Sequence, residues 1–228
     1  MGKTIQGCGG CSQNCAQTNA FIEILPEGIR ERLAEQAVRK KIPAGGEVFV
    51  RGGESGSIYV VLDGKVKLTR CDADGKEQIA GIFSKGEIIW EGVLSSKGSF
   101  PYSCVCITRS CICTIRRQDV SEILSEPRTA LGMMAILSNK LHDANMRSLI
   151  LSTADPKARL AAFLLYHMER EAERIVRLKL DDIAGSLNLR PETVSRKIRE
   201  LTEDGYIRRV GRSGIELLDT EGLSALIP

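Results

Sequence analysis

Histidine is almost missing from this chain: only His142 and His167 occur in 228 residues. That scarcity argues against most hydrolytic metal centres and against histidine-based acid–base catalysis. No apolar run reaches the roughly 18–20 residues of a membrane span. The first residues, Met1-Gly2-Lys3-Thr4, lead into Gly and Cys and not into the apolar core of a secretory signal. Low-complexity tracts are absent, and the net charge is only +3. So small a charge neither requires nor excludes nucleic acid, because footprint charge is local. What is there has globular composition, 43% apolar and 27% charged, and is long enough for one large domain or two ordinary ones. The cytoplasm is the expected compartment. Eight cysteines in a reducing compartment read as metal ligands, sensors or core residues, not as disulfides.

The pattern divides the chain into four segments and predicts an α+β protein. Residues 1–20 form an irregular loop rich in Cys, Gly, Gln and Asn. Residues 21–118 open with a short helix, about Glu27–Arg39, and then change to a period of two. Stretches such as Ile58–Leu62 and Val66–Leu68 alternate with turn signals at Asp63-Gly64 and Asp72–Gly75. Short strands at this spacing predict a β-roll of jelly-roll type. Over 119–152 the period is helical again. Leu131, Met134, Leu137 or Ser138, Leu141, Asn145 and Leu149 fall on one side. That seam is a dimerisation candidate, and packing against the chain's own β-domain is the alternative.

Residues 153–228 carry the strongest signal. Asp155-Pro156 marks a boundary, with Pro suited to a first helical turn. A helix over Arg159–Glu173 follows, then a short one over Leu180–Leu187. Asn188-Leu189-Arg190 is a turn in which Asn can supply the left-handed corner. Pro191 starts a second helix through Leu201, with Val194, Ile198 and Leu201 inward and Glu192, Ser195, Arg196 and Arg199 outward. This is a helix-turn-helix, whose second helix offers its N-terminal half to the DNA major groove. Arg196 suits guanine O6/N7, Glu192 suits cytosine N4, and Ser195 can approach any base edge. Lys197, Arg199 and Arg190 are placed for phosphate. A two-stranded wing over Gly205–Leu218 adds Arg208, Arg209 and Arg212 beside the groove. Such readers usually act as dimers on two-fold sites.

Cys8, Cys11 and Cys15 form C-x2-C-x3-C in a Gly-rich stretch, a spacing that lets three thiolates converge on one metal. Cys71, Cys104 and Cys106 read as core residues. An enzyme built on a cupin-like barrel would need a His-rich metal set, and no His lies within residues 41–117; none is expected.

With these pieces in order, the chain resembles the Crp/Fnr family of transcription regulators from about Phe21 to Leu226. The motifs that carry the likeness are Ile58–Leu68 with Gly64, Gly75–Ile82, Gly86-Glu87 and Ile183–Leu201. The resemblance implies an effector-sensing β-roll, a long dimer helix and a winged helix-turn-helix, with RNA polymerase as a further partner. Glu192, Ser195 and Arg196 match the Glu-x-x-Ser-Arg of the Fnr branch, which implies half-sites of TTGAT type. The same branch implies a fourth cysteine late in the β-roll, where Cys113 aligns and Cys111, two residues earlier, is second choice. Together with Cys8, Cys11 and Cys15 it would hold an oxygen-labile [4Fe–4S] cluster; zinc, a metal-free thiol sensor and control by a small organic ligand in the β-roll remain alternatives. The spacing between the last two N-terminal cysteines is shorter than in the best-known Fnr proteins. The cyclic-nucleotide branch keeps an Arg after its Gly-Glu pair to hold phosphate. Here no Arg lies between Trp90 and Tyr102, and a bulky Trp90 follows the pair, both of which argue against cAMP.

Overall fold

In a computed structural model, residues 25, 27, 38–72, 75, 77–90, 98–119 and 125–227 are described. They divide into two compact units, 1–139 and 140–228. The first is built from eight strands: β1 (Val38–Ile42), β2 (Glu47–Phe49), β3 (Ser57–Asp63), β4 (Lys65–Cys71), β5 (Glu77–Ser84), β6 (Ile88–Ile89), β7 (Ser103–Cys106) and β8 (Ser110–Arg116). They form two four-stranded antiparallel sheets, ordered β1-β8-β3-β6 and β2-β7-β4-β5. Phe49, Val66, Leu68, Phe83, Cys104 and Cys106 of one sheet meet Val61, Ile89 and Ile112 of the other in the core between them. The period-two alternation of β3 and β8 then turns Ile58, Val60, Cys113 and Ile115 to the opposite face.

That outer face is covered by helix α1 (Pro127–Ser152), through Met133 and Ile136, together with Leu25 and Trp90. The helix is about 39 Å long at 1.5 Å per residue. Gly64 makes the β3–β4 turn at φ +87°. A Cβ there would lie 2.4 Å from Ser110 Oγ and 2.6 Å from the Arg109 carbonyl, so the turn admits only glycine. One expectation is corrected at the start of this unit. Val38 and Arg39 do not end a helix; they begin β1, which runs to Ile42 and covers the edge of β8 with all five residues in register. Partnering that edge decides the matter, and the β-branched Val38 and Ile42 suit a strand.

The second unit holds α2 (Pro156–Glu171), β9 (Ile175–Arg177), α3 (Leu180–Leu187), α4 (Pro191–Glu203), β10 (Ile207–Val210), β11 (Gly214–Leu217) and α5 (Thr220–Ala225). Its core is Leu160, Leu164, Ile183, Leu187, Val194, Ile198, Leu201, Ile207, Ile215, Leu217 and Leu223. The wing has three strands, ordered β10-β11-β9, where two were expected. Ile175–Arg177 pairs with β11 across some forty residues of chain, a contact no local pattern announces.

Asp155 caps α2, accepting from the N–H groups of Lys157 and Ala158 at 3.3 and 3.0 Å, with Pro156 in the first turn. Burial alone would raise the Asp155 carboxyl. The N–H groups of Ala158 and Lys157 outweigh it, with the ammonium groups of Lys197 and Lys157 beside them, and hold it below the usual carboxylate range. Asp155→Ala is expected to destabilise this unit by about 1 kcal/mol, as loss of an N-cap does. Because the folded pKa is depressed, the carboxylate's contribution is full above its unfolded value near 3.8. It is lost as pH falls through the lower folded value. Thermal unfolding of wild type and Asp155→Asn, followed from about pH 6 down to pH 2, should converge at the acid end. A gap that stays constant with pH would show that the carboxylate is not what stabilises the cap.

Candidate nucleic-acid interface and cysteine sites

Helices α3 and α4 meet at Asn188, which adopts φ +54°, ψ +33° and donates its N–H to the Ala184 carbonyl. Arg190 and Pro191 then restart the chain as a helix. At 100° per residue Val194, Ile198 and Leu201 share the inward stripe and are buried. Glu192, Ser195, Arg196 and Arg199 share the opposite one. Those four line an open groove with Leu180, Pro191, Thr202 and, from the wing, Arg209. The Arg196 side chain is 61% exposed, and its nearest carboxylate, Glu200, stands 4.0 Å away. Arg199 is similarly open, with Glu203 at 3.6 Å.

The other proposed contacts divide. Arg190 is the exposed residue before Pro191, and Arg212 lies in the turn between β10 and β11; neither lines the groove. Lys197 is held differently from Arg196 and Arg199. Its position three residues after Val194 and four before Leu201 puts it on the edge of the inward stripe. Its ammonium donates to both Glu200 oxygens at 2.9 and 2.8 Å, and its side chain is only 18% exposed. It closes on the helix's own carboxylate. The sequence reading also missed Arg159. Its guanidinium donates to the Thr153 and Leu187 carbonyls at 2.8 and 3.2 Å. These two carbonyls follow the end of α1 and end α3, where backbone acceptors lack helical partners. Nothing in the spacing signals a bond across 28 residues.

Cys71, at the end of β4, is exposed and not the core residue expected; the other described cysteines separate by face. Cys104 and Cys106 point into the core between the sheets. Burial pushes the Cys106 thiol up, and a hydrogen bond with Ser110 only partly offsets this. Cys113 is on the outer face, in one cluster with Leu25, Trp90 and Met133, and alternation gives Cys111 the same side. Both are buried. Cys8, Cys11 and Cys15 lie outside the described residues. Among the described residues no group of three or more His, Cys, Asp or Glu could hold a metal.

Between the sheets, Phe49 stacks on Phe100 with centroids 3.9 Å apart, and Tyr59 leans on Phe49 at 5.0 Å. Glu87 turns back to accept the Ser84 N–H at 2.6 Å. Trp90 belongs to the outer-face cluster, so it does not crowd the space between the sheets.

Comparison with known proteins gives two matches that together span most of the chain. Residues 39–127 match the cyclic nucleotide-binding domain, and residues 158–226 match the Crp-like helix-turn-helix domain. The chain belongs to the Crp/Fnr family of transcription regulators. Like its family it is a DNA-binding regulator and not an enzyme. This Crp/Fnr regulator is 26% identical to the fumarate and nitrate reduction regulatory protein of Salmonella typhimurium, over 96% of this chain and 92% of that one. It is also 26% identical to the cyclic AMP receptor protein of Thermus thermophilus, over 75% and 79%. Its fold is similar to that of FixK2 from Bradyrhizobium japonicum, with a TM-score of 0.76 at 23% identity over 84% and 98% of the two chains. Among its described residues no helix is long and apolar enough to cross a membrane.

Proposed function

We propose that this regulator is a cytoplasmic homodimer that reads palindromic TTGAT-type sites and responds to oxygen or redox state through a [4Fe–4S] cluster. The DNA half of this reading rests on the exposed stripe of α4, where Glu192, Ser195 and Arg196 stand in the order of the Fnr reading motif. Two such helices, about 34 Å apart in a dimer, would meet successive major grooves. Pairing of two chains is supported by α1. Leu131, Met134, Leu141 and Leu149 are each more than 60% exposed and, with Asn145, repeat on one side of the helix, a seam that suits a second copy. RNA polymerase is the partner that the family likeness suggests at a promoter.

The sensing half rests on Cys113. It shares a buried cluster with Leu25, and Cys15 lies ten positions before Leu25 in the chain. Ten residues span up to about 35 Å when fully extended, long enough for Cys15 to reach the β-roll face that carries Cys113. A set of four thiolates suits an iron–sulfur cluster. When bound, the cluster would supply an oxygen-labile cross-link between the N-terminal segment and the face covered by α1. Any effect on DNA affinity then requires that it favour one conformation over another.

Purification without oxygen tests this. The protein should carry iron and acid-labile sulfide and absorb broadly in the visible, and brief exposure to air should bleach it and weaken its hold on a TTGAT palindrome. A colourless protein without iron would refute the cluster. Stoichiometric zinc, or a response only to thiol oxidants, would replace it with the corresponding sensor chemistry.

A further inference from the structure

The three arginines of the wing do not face the same way. Alternation along β10 gives Ile207 and Arg209 one side and Arg208 and Val210 the other. Ile207 is buried in the core and β10 packs on α4, so Arg209 leaves the strand on the helix side. Arg208 leaves on the far side. It stands opposite Glu216 in the ladder and closes on that carboxylate with two bonds, at 3.0 and 2.6 Å. Arg212 sits in the turn beyond the strand. Arg209 alone of the three lines the groove that holds Glu192, Ser195, Arg196 and Arg199. Among the described residues no carboxylate is within ion-pair distance of it.

We propose that Arg209 is a DNA-backbone contact, taking a phosphate of the strand that borders the major groove. This rests on the DNA-reading assignment of α4. Glu192, Ser195 and Arg196 occupy the first two turns of that helix, the part offered to base edges. Arg199 and Thr202 lie one to two turns further on, where the helix leaves the groove floor, and Arg209 reaches the same groove from the neighbouring strand. An uncommitted guanidinium beside the exit of a recognition helix meets phosphate oxygens, for which its fork of donors is suited.

Counterion release gives the test. Each neutralised phosphate steepens the fall of log affinity with log salt by about 0.9. The full-length protein in its DNA-binding form is titrated onto a TTGAT palindrome and onto an unrelated duplex, between about 50 and 200 mM salt. Arg209→Gln should make the slope shallower by about 1 per subunit and weaken both duplexes by a similar factor. Arg208→Gln removes the same charge from the same strand and should leave the slope near wild type. An unchanged slope in Arg209→Gln, or a loss confined to one base pair of the palindrome, overturns the phosphate assignment while leaving the reading helix standing. Equal slope changes in both variants overturn it too, since they would report general charge. If wild type does not prefer the palindrome at all, the reading of α4 fails first and this assignment with it.

Discussion

Arg196→Ala is expected to lower affinity for the cognate half-site by about 1–3 kcal/mol, roughly 5- to 150-fold, and to relax preference at a single base pair. Two features of this side chain underlie the expectation. Its guanidinium is largely exposed on the groove side of α4. The carboxylate that could have occupied it is already engaged: Glu200 accepts from Lys197 at 2.8 and 2.9 Å and stands 4.0 Å from Arg196. The bidentate fork also matters, so Arg196→Lys should lose most of the discrimination although it keeps the charge. Binding measured against a panel of single-base variants of the palindrome separates these outcomes from a loss of general affinity. A specificity profile identical to wild type would mean that another element reads the bases.

The reader was legible because its signals are local. Asn188 at a left-handed corner, Pro191 in a first turn and the Val194–Ile198–Leu201 stripe each follow from neighbouring residues. So do the Asp155-Pro156 start of α2 and the glycine turn at Gly64. What escaped depends on distant partners. β9 is three residues whose pairing lies on β11. Val38 and Arg39 are strand because β8 needs an edge partner. The Arg159 bonds end on backbone carbonyls with no side-chain signature. Trp90 follows Gly86-Glu87 in the sequence, but the face it takes, beside Leu25 and Met133, depends on packing that no local pattern announces.

Cys113→Ala should remove the metal altogether. Anaerobically purified wild type is expected to hold roughly four iron atoms per chain, and the variant close to none, with the oxygen response of DNA binding lost. The comparison that gives this force is within one strand and the next. Cys111 shares the strand face of Cys113, so Cys111→Ala tests whether register or merely side decides the ligand; it should retain the cluster. Cys106→Ala should retain it as well, because that thiol points into the core between the sheets. All three sites are buried, so each variant carries a packing penalty of about 1 kcal/mol for the atom removed. Circular dichroism and thermal unfolding of the metal-free proteins therefore accompany the iron assay. Equal destabilisation with unequal iron content would assign the fourth ligand to Cys113. Iron lost in Cys111→Ala but kept in Cys113→Ala would move the ligand two residues along β8. It would remain on the face that α1 covers, and so keep the link between the N-terminal cysteines and that helix. Iron retained in both would detach the cluster from β8 and refute that link.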